Sequence, residues 1–292
     1  MGKQTDLIEG NISKALLVFA VPLLIGNLFQ QLYNTADSYV VGNFVDTNAL
    51  AAVGASASVI QMLVGFFMGL SVGAGVVIAQ YFGAGQKEKM SQAVHSALAL
   101  TVLLSVLFTV AGIALTRPLL RAIGVPQEVL PHSTLYLTIY FAGITFLLFY
   151  NMGSGILRAI GNSRDPLIYL AVASVLNVIL DVLLVCVARL GVAGVALGTM
   201  IAQAVSAYLV MRQLIRTREA YRVELKKIRF HRDMIRQILM VGLPAALQQS
   251  ITAFSNVVVQ SYINSFGTAA IAGYSTTIRI DGFLQLVLQS FN

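Results

Sequence analysis

Four ionisable residues stand inside apolar runs long enough to cross a bilayer: Asp37, Asp181, Arg279 and Asp281. A charge at the bilayer centre costs at least about 2.5–3.5 kcal/mol on insertion scales, so such groups face a protein interior or water. At about 1.5 Å of helical rise per residue, counting from the nearest loop markers places Asp37 roughly 10 Å inside the outer interface. The same count places Asp181 and Thr199 each roughly 12 Å inside. Asn177 lies one turn from Asp181 on the same helical face. Two carboxylates, an amide and a hydroxyl offer oxygen donors of the kind that suit a hard cation. Two carboxylates held close together also resist joint ionisation and titrate as a coupled unit, so the same set can take up and release a proton. The competing reading keeps Asp37 and Asp181 apart as hydrated helix-end residues and lets Thr199 bond its own helix backbone.

Other polar residues in the runs have less decided roles. Asn34 and Asn151 read equally as cavity lining and as hydrogen-bonding glue between helices. Arg279 and Asp281 are two residues apart and do not face each other on one helix, so each needs a partner elsewhere or a wet cavity wall or gate. Pro22 removes a helix hydrogen bond and reads as a static kink or a moving hinge. Gly65, Gly69 and Gly73, spaced by four, form a close-packing face. Met62, Phe66, Phe67 and Met68 suit apolar ligands, packing or lipid.

Enzyme chemistry finds little support. No Gly-x-x-x-x-Gly-Lys-Ser/Thr, His-Glu-x-x-His or Gly-x-Ser-x-Gly motif is present. His95, His132 and His231 are scattered and suggest no metal set, and the lone Cys186 allows no internal disulfide. A catalytic Asp37–Asp181 dyad in an intramembrane enzyme is the alternative of that class.

The elements that position these residues follow from composition. The chain is 57% hydrophobic and 11% charged over 292 residues, too little polar surface for a soluble fold. Runs near 15–43, 49–80, 91–115, 132–157, 167–188, 192–215, 236–265 and 269–292 reach spanning length. Gly83-Ala-Gly85-Gln-Lys87, Arg117-Pro118 with Gly124-Val-Pro126, and Gly161-Asn-Ser-Arg-Asp-Pro166 punctuate them. No alternating ten-residue pattern of a membrane barrel appears. Met1 to Gly10 is polar and the first run is of spanning length, so no cleavable signal is expected.

With the amino terminus inside, fifteen cations fall on the inner side: Lys3, Lys14, Lys87, Lys89, Arg158, Arg164, Arg212, Arg216, Arg218, Arg222, Lys226, Lys227, Arg229, Arg232 and Arg236. Arg117, Arg121 and Arg189 fall outside, and Arg279 lies within the last run. This is a positive-inside pattern for a multi-pass protein of the inner or plasma membrane. It also accounts for the net charge of +7 without nucleic acid. The basic stretch from Arg212 to Arg236 reads as a cytoplasmic linker with an amphipathic segment or as a contact for anionic membrane lipids.

The linker separates six runs from two. Pro22 and Pro244 open the runs on its two sides, Asn34 and Asn256 lie twelve residues on, and Phe44 and Phe266 ten beyond those. An even number of helices between the two starts makes the copies parallel. The expected fold is an all-α, polytopic transmembrane bundle. A six-helix lobe spans 1–216, a basic linker 217–234, and the first two helices of a parallel repeated lobe 235–292. The eighth run reaches Asn292 with no loop after it, so the second lobe is expected to be incomplete.

Several phrases carry a family resemblance. They are Val21-Pro22-Leu-Leu-Ile, Asn34-Thr-Ala-Asp37-Ser-Tyr-Val-Val-Gly42, Leu157-Arg-Ala-Ile-Gly-Asn-Ser-Arg-Asp-Pro166, Asn177-Val-Ile-Leu-Asp181, Gly191-Val-Ala-Gly194-Val-Ala-Leu-Gly198-Thr199 and Gly242-Leu-Pro244. The chain resembles the multidrug and toxic compound extrusion family of secondary transporters over essentially its whole length. The resemblance implies twelve helices in two lobes about a central cavity, alternating access, and export of drugs or other small organic molecules driven by protons or sodium. It implies a first-lobe cation site at Asp37, Asn177, Asp181 and Thr199, with Tyr136 and Asn151 nearby and Pro22 bending the first helix. No cofactor is implied beyond the coupling Na+ or H+, and the partners are an organic cation or amphipathic drug and membrane lipids. Some branches carry a carboxylate eight residues after the proline of the seventh helix, where this chain has Thr252, which counts against a second-lobe cation site. A lipid-linked sugar flippase of related architecture is the alternative, and it would need a more basic cavity than Arg279 alone supplies.

Overall fold

A computed structural model describes residues 47–264 without a break, residues 39–45, and residues 21–22, 24–26 and 28–29. Asn34, Asp37, Arg279, Asp281 and the eighth run lie outside the described residues. Pro22 is helical and half-buried. Among the described residues there is no strand. The helices are α1 (Thr47–Gly83), α2 (Lys87–Ala122), α3 (Leu130–Ala159), α4 (Arg164–Asp181), α5 (Val192–Arg216) and α6 (Arg232–Asn264). All six are long and apolar enough to cross a membrane.

The glycine punctuation works through one local motif. Gly85, Gly124 and Gly161 take φ of +68°, +76° and +84° just past α1, α2 and α3. In each case the glycine N–H and the next residue's N–H turn back to carbonyls of the last turn, for example Gly161 to Arg158 and Asn162 to Leu157, both at 2.9 Å. This Schellman ending satisfies orphan carbonyls where an L side chain would be strained. The reading that stops the third run near 115 is corrected: α2 passes through Arg117 and Pro118 to Ala122. Pro118 costs α2 one backbone hydrogen bond without ending it, and the helix closes four residues later, just before Gly124.

The next helix starts on an interlocked pair. Asn162 Oδ1 accepts the Asp165 N–H at 3.1 Å, and Asn162 Nδ2 donates to Asp165 Oδ2 at 2.7 Å. Gln213 of α5 also donates to Asp165, and Tyr169 donates to Gln213 Oε1 at 2.8 Å, tying the start of α4 to the end of α5.

Between helices surrounded by lipid the apolar surface has no solvent to escape, so close packing of small residues takes over. α1 lies along α6, α3 along α5, and α1, α2 and α3 pack on one another. The Gly65–Gly69–Gly73 face meets α6: a side chain at Gly69 would collide with the backbone of Ala245 and Ala246, and one at Gly73 with that of Gly242. Phe67 is buried and packs edge-on against Phe108 of α2, with ring centroids 4.6 Å apart.

α2 is divided along its length. Met90 to Thr101 is almost entirely buried, whereas Val102, Leu103, Val106, Leu107, Val110, Ile113, Leu115 and Leu119 are exposed. The exposed apolar stretch covers about 26 Å of helix, close to the hydrocarbon thickness of a bilayer.

Candidate cation site

α4 delivers Asn177 and Asp181 to one face, and that face is turned towards α5. Asp181 is 0% exposed, Asn177 2% and Thr199 7%. Asn177 Nδ2 points at Thr199 Oγ1 across 3.5 Å, and Thr199 Oγ1 itself donates to the Val195 carbonyl at 3.0 Å. Among the described residues Asn177 Oδ1 is buried and accepts no hydrogen bond. The Asp181 carboxylate fills the space left by Gly198, where an added Cβ would stand 2.6 Å from Oδ1. One turn earlier on α5, a Cβ on Gly194 would stand 3.1 Å from the Leu184 carbonyl. The Gly194–Gly198 face therefore lets α5 approach α4 closely enough to bring Thr199 beside Asn177.

The helix changes pitch at this point. Asp181 is the last α-helical residue, and Val182–Val187 forms a π-helical turn. The Ala188 N–H reaches the Leu183 carbonyl at 2.8 Å. Arg189 at φ 55° and Gly191 at φ 55° then reverse the chain into α5. A π turn inserts one extra residue and is a common device at functional sites.

Tyr136 of α3 packs beside this pair of helices. It is buried among Val185, Val192, Val195 and Ala196, together with Val40, Val41 and Ala49. The segment that follows Asp37 in sequence thus packs in the same cluster as the π turn after α4 and the start of α5. A carboxylate, an amide oxygen and a hydroxyl out of reach of solvent offer a hard cation or a proton all-oxygen ligation. A carboxylate buried this completely in a membrane span favours binding of positive charge.

Comparison with known proteins follows this geometry. The MatE family model matches residues 22–183, more than half of the chain. The chain belongs to the MatE family. It is 30% identical to the probable multidrug resistance protein YpnP of Bacillus subtilis over 97% of this chain and 63% of that protein. It is 25% identical to the multidrug export protein MepA of Staphylococcus aureus over 95% of this chain and 61% of that protein. It superposes with a TM-score of 0.91 on a multidrug resistance MATE transporter in an outward-facing conformation, at 27% identity, covering all of this chain and 65% of that one. The MatE chain thus spans under two thirds of the length of these relatives.

Within this MatE chain the fold brings Asn177, Asp181 and Thr199 together, with Tyr136 adjoining them. Asn151 is not part of that group. It lies fifteen residues from Tyr136 on α3, about 22 Å along the helix. Its side-chain amide donates to the Leu147 carbonyl of its own helix at 2.9 Å, and its main-chain carbonyl accepts from Ser71 of α1 at 3.0 Å. That arrangement joins α3 to α1. Thr252 is exposed and donates to the Gln248 carbonyl at 2.9 Å.

Three features escape sequence reasoning. The π turn occupies the uniformly apolar stretch Val182–Val187, which carries no marker for it. Gly198 is visible as part of a motif, but its role as the seat of a carboxylate needs the α4–α5 register. Two of the three histidines come together without forming a metal set: His95 and His231 both fasten the linker to α2. Among the described residues no group of three or more His, Cys, Asp or Glu gathers to hold a metal.

Proposed function

We propose that this MatE chain contributes the first lobe and the opening of the second to a cation-coupled antiporter that exports small organic molecules across the cytoplasmic membrane. The observation that carries this reading is Asp181: a fully buried carboxylate on a membrane-spanning helix, flanked by Asn177 and Thr199. The names of the relatives, a multidrug resistance protein and a multidrug export protein, support an organic cation or amphipathic drug as cargo. The excess of Lys and Arg on one side supports a cytoplasmic amino terminus and linker.

In this reading the substrate enters from the cytoplasmic side or inner leaflet. A proton or sodium ion then occupies the site at Asp181, with Asp37 as the second carboxylate, and the first helix bends at Pro22 to release the cargo outward. Binding a cation in one conformation and not in the other is what couples the gradient to the change of access.

Ethidium efflux from energised cells tests the reading. The chain is expressed extended to the full length of its relatives, and compared with Asp37→Asn and Asp181→Asn at matched membrane levels. Each carboxamide keeps the size and removes the titratable charge. Efflux that either substitution abolishes supports the coupling role. Efflux unchanged by both removes the site, and no efflux from the parent removes the drug assignment.

A further inference from the structure

The linker is not a loose tether. From Arg218 to His231 it folds back along the inner part of α2. Tyr221 and Val223 are buried, 7% and 1% exposed, while Arg222 and Glu224 between and beyond them point outward. The Glu224 N–H donates to His95 Nε2 at 3.0 Å, and the Val223 N–H to the Leu214 carbonyl at 2.9 Å. His231 Nδ1 pairs with Ser96 Oγ at 3.0 Å. The outer face of the segment is therefore fixed relative to the helices.

That face is unusual for a cytoplasmic connection. Leu225 is 67% exposed and Phe230 55% exposed. Around them in residues 222–232 stand Arg222, Lys226, Lys227, Arg229 and Arg232, against the single carboxylate of Glu224. Glu224 is already engaged by Lys227 at 2.9 Å. Its height is set by α2. The lipid-facing stripe of α2 begins at Val102, and His95 and Ser96, which hold the linker, lie six to seven residues before it. At about 1.5 Å per residue the linker sits about 10 Å beyond the hydrocarbon edge, within side-chain reach of phospholipid headgroups.

We propose that residues 222–232 form a docking surface for anionic phospholipids, in which Arg222, Lys226, Lys227 and Arg232 face the phosphates and Leu225 and Phe230 enter the interfacial layer. Basic residues at this level are drawn to an anionic leaflet, and exposed apolar side chains between them gain by leaving water. Charge complementarity selects lipid over another protein segment, which would leave five cations to be matched.

The chain contains no tryptophan, so one introduced indole is a unique reporter. Phe230→Trp, made in the full chain, is reconstituted into vesicles of equal parts phosphatidylcholine and phosphatidylglycerol in which one or the other lipid carries bromines on its acyl chains. The expected result is at least about twofold stronger quenching by brominated phosphatidylglycerol than by brominated phosphatidylcholine, diminishing as salt is raised. Combining Arg222→Gln, Lys226→Gln and Lys227→Gln, all at exposed positions, is expected to erase the preference. Leu225→Trp provides a second reporter. Equal quenching by the two lipids overturns the proposal. So does an indole quenched only by aqueous acrylamide, which marks a solvated linker, and so does one shielded from all three, which marks protein packing. The readout depends neither on export activity nor on which side of the membrane the linker occupies, so it fails or stands separately from the antiport reading.

Discussion

Asp181 occupies the space that a side chain at Gly198 would need: a methyl group there would stand 2.6 Å from Oδ1. The contact ties the candidate cation site to the packing of two helices, because the carboxylate cannot move towards α5 and α5 cannot move towards it. Gly198→Ala is expected to displace the carboxylate from Asn177 and Thr199. Overpacking of this kind costs about 1–3 kcal/mol. The expected outcome is a loss of efflux of at least about tenfold with the chain still inserted in the membrane. Gly194→Ala meets the Leu184 backbone at a looser 3.1 Å and is expected to be milder. Efflux and thermal melting of the two variants, compared at matched expression, check the order.

Thr199→Val separates a ligand role from a packing role. Valine keeps the shape and removes Oγ1, which receives the long contact from Asn177 and donates to the Val195 carbonyl. Losing a bond of a helix to itself costs about 0.5–1.5 kcal/mol, so the variant is expected to fold. If Oγ1 ligates the coupling cation, half-saturation of efflux by sodium or protons shifts by about tenfold, the equivalent of about 1.4 kcal/mol. An unchanged half-saturation would assign the hydroxyl to its own helix alone.

Much of this architecture was legible in the sequence. Apolar run lengths give five of the six described spans to within about four residues and stop α2 seven residues short of Ala122, because lipid imposes a minimum length on a crossing helix but no maximum. Gly85, Gly124 and Gly161 mark helix ends because their positive φ suits glycine. The α4 half of the site was legible too, since one turn of helix necessarily aligns Asn177 with Asp181. Thr199 and Tyr136 come from other helices: depth counting gives the level of Thr199 but not its facing, and Tyr136 enters only through the family resemblance. Asn151 shows the limit. An amide in a span reads alike whatever it bonds, and the Asn151 side chain bonds the Leu147 carbonyl of its own helix while the link to Ser71 of α1 runs through its main-chain carbonyl. The histidine contacts of the linker depend on a fold-back of irregular backbone, for which periodicity offers no signal.

The α1–α6 crossing carries a stability prediction. A side chain at Gly73 would overlap the Gly242 backbone and approach the Ile238 carbonyl to 2.8 Å. Backbone cannot rotate away as a flexible side-chain end can. Gly73→Ala is therefore expected to lower the melting temperature of the detergent-solubilised protein, with a cost of about 1–3 kcal/mol or more. Gly83→Ala, ten residues along the same helix, meets nothing within 4 Å and is the matched control, with a change within about 1 kcal/mol. Equal melting of the two variants would show that α1 and α6 do not cross at these glycines.

The docked linker is also expected to respond to pH, and the hydrogen bonds give the sign. His95 Nδ1 lies 2.7 Å from the Ser91 carbonyl, which only accepts, so Nδ1 carries the proton and Nε2 is free to accept from Glu224. His231 is arranged alike, with Nδ1 towards Ser96 and Nε2 accepting from Arg229 at 3.1 Å. Burial, then the nearby Arg229 and His95, hold its pKa below the ordinary histidine value. The undocked histidine therefore binds a proton more readily than the docked one. Docking is at full strength above about pH 6.5 and weakens as the pH falls below it. The groups facing the pair do not reverse this. The Glu224 carboxyl is held below its usual range by its bond to Lys227 and by Arg222, so it stays ionised throughout the window. Hydrogen exchange at the Glu224 amide, corrected for the intrinsic rate, is expected to lose about tenfold protection between about pH 7.5 and 5.5. His231→Gln offers an acceptor that does not titrate and is expected to flatten the profile. Protection that falls equally in that variant would place the pH response elsewhere.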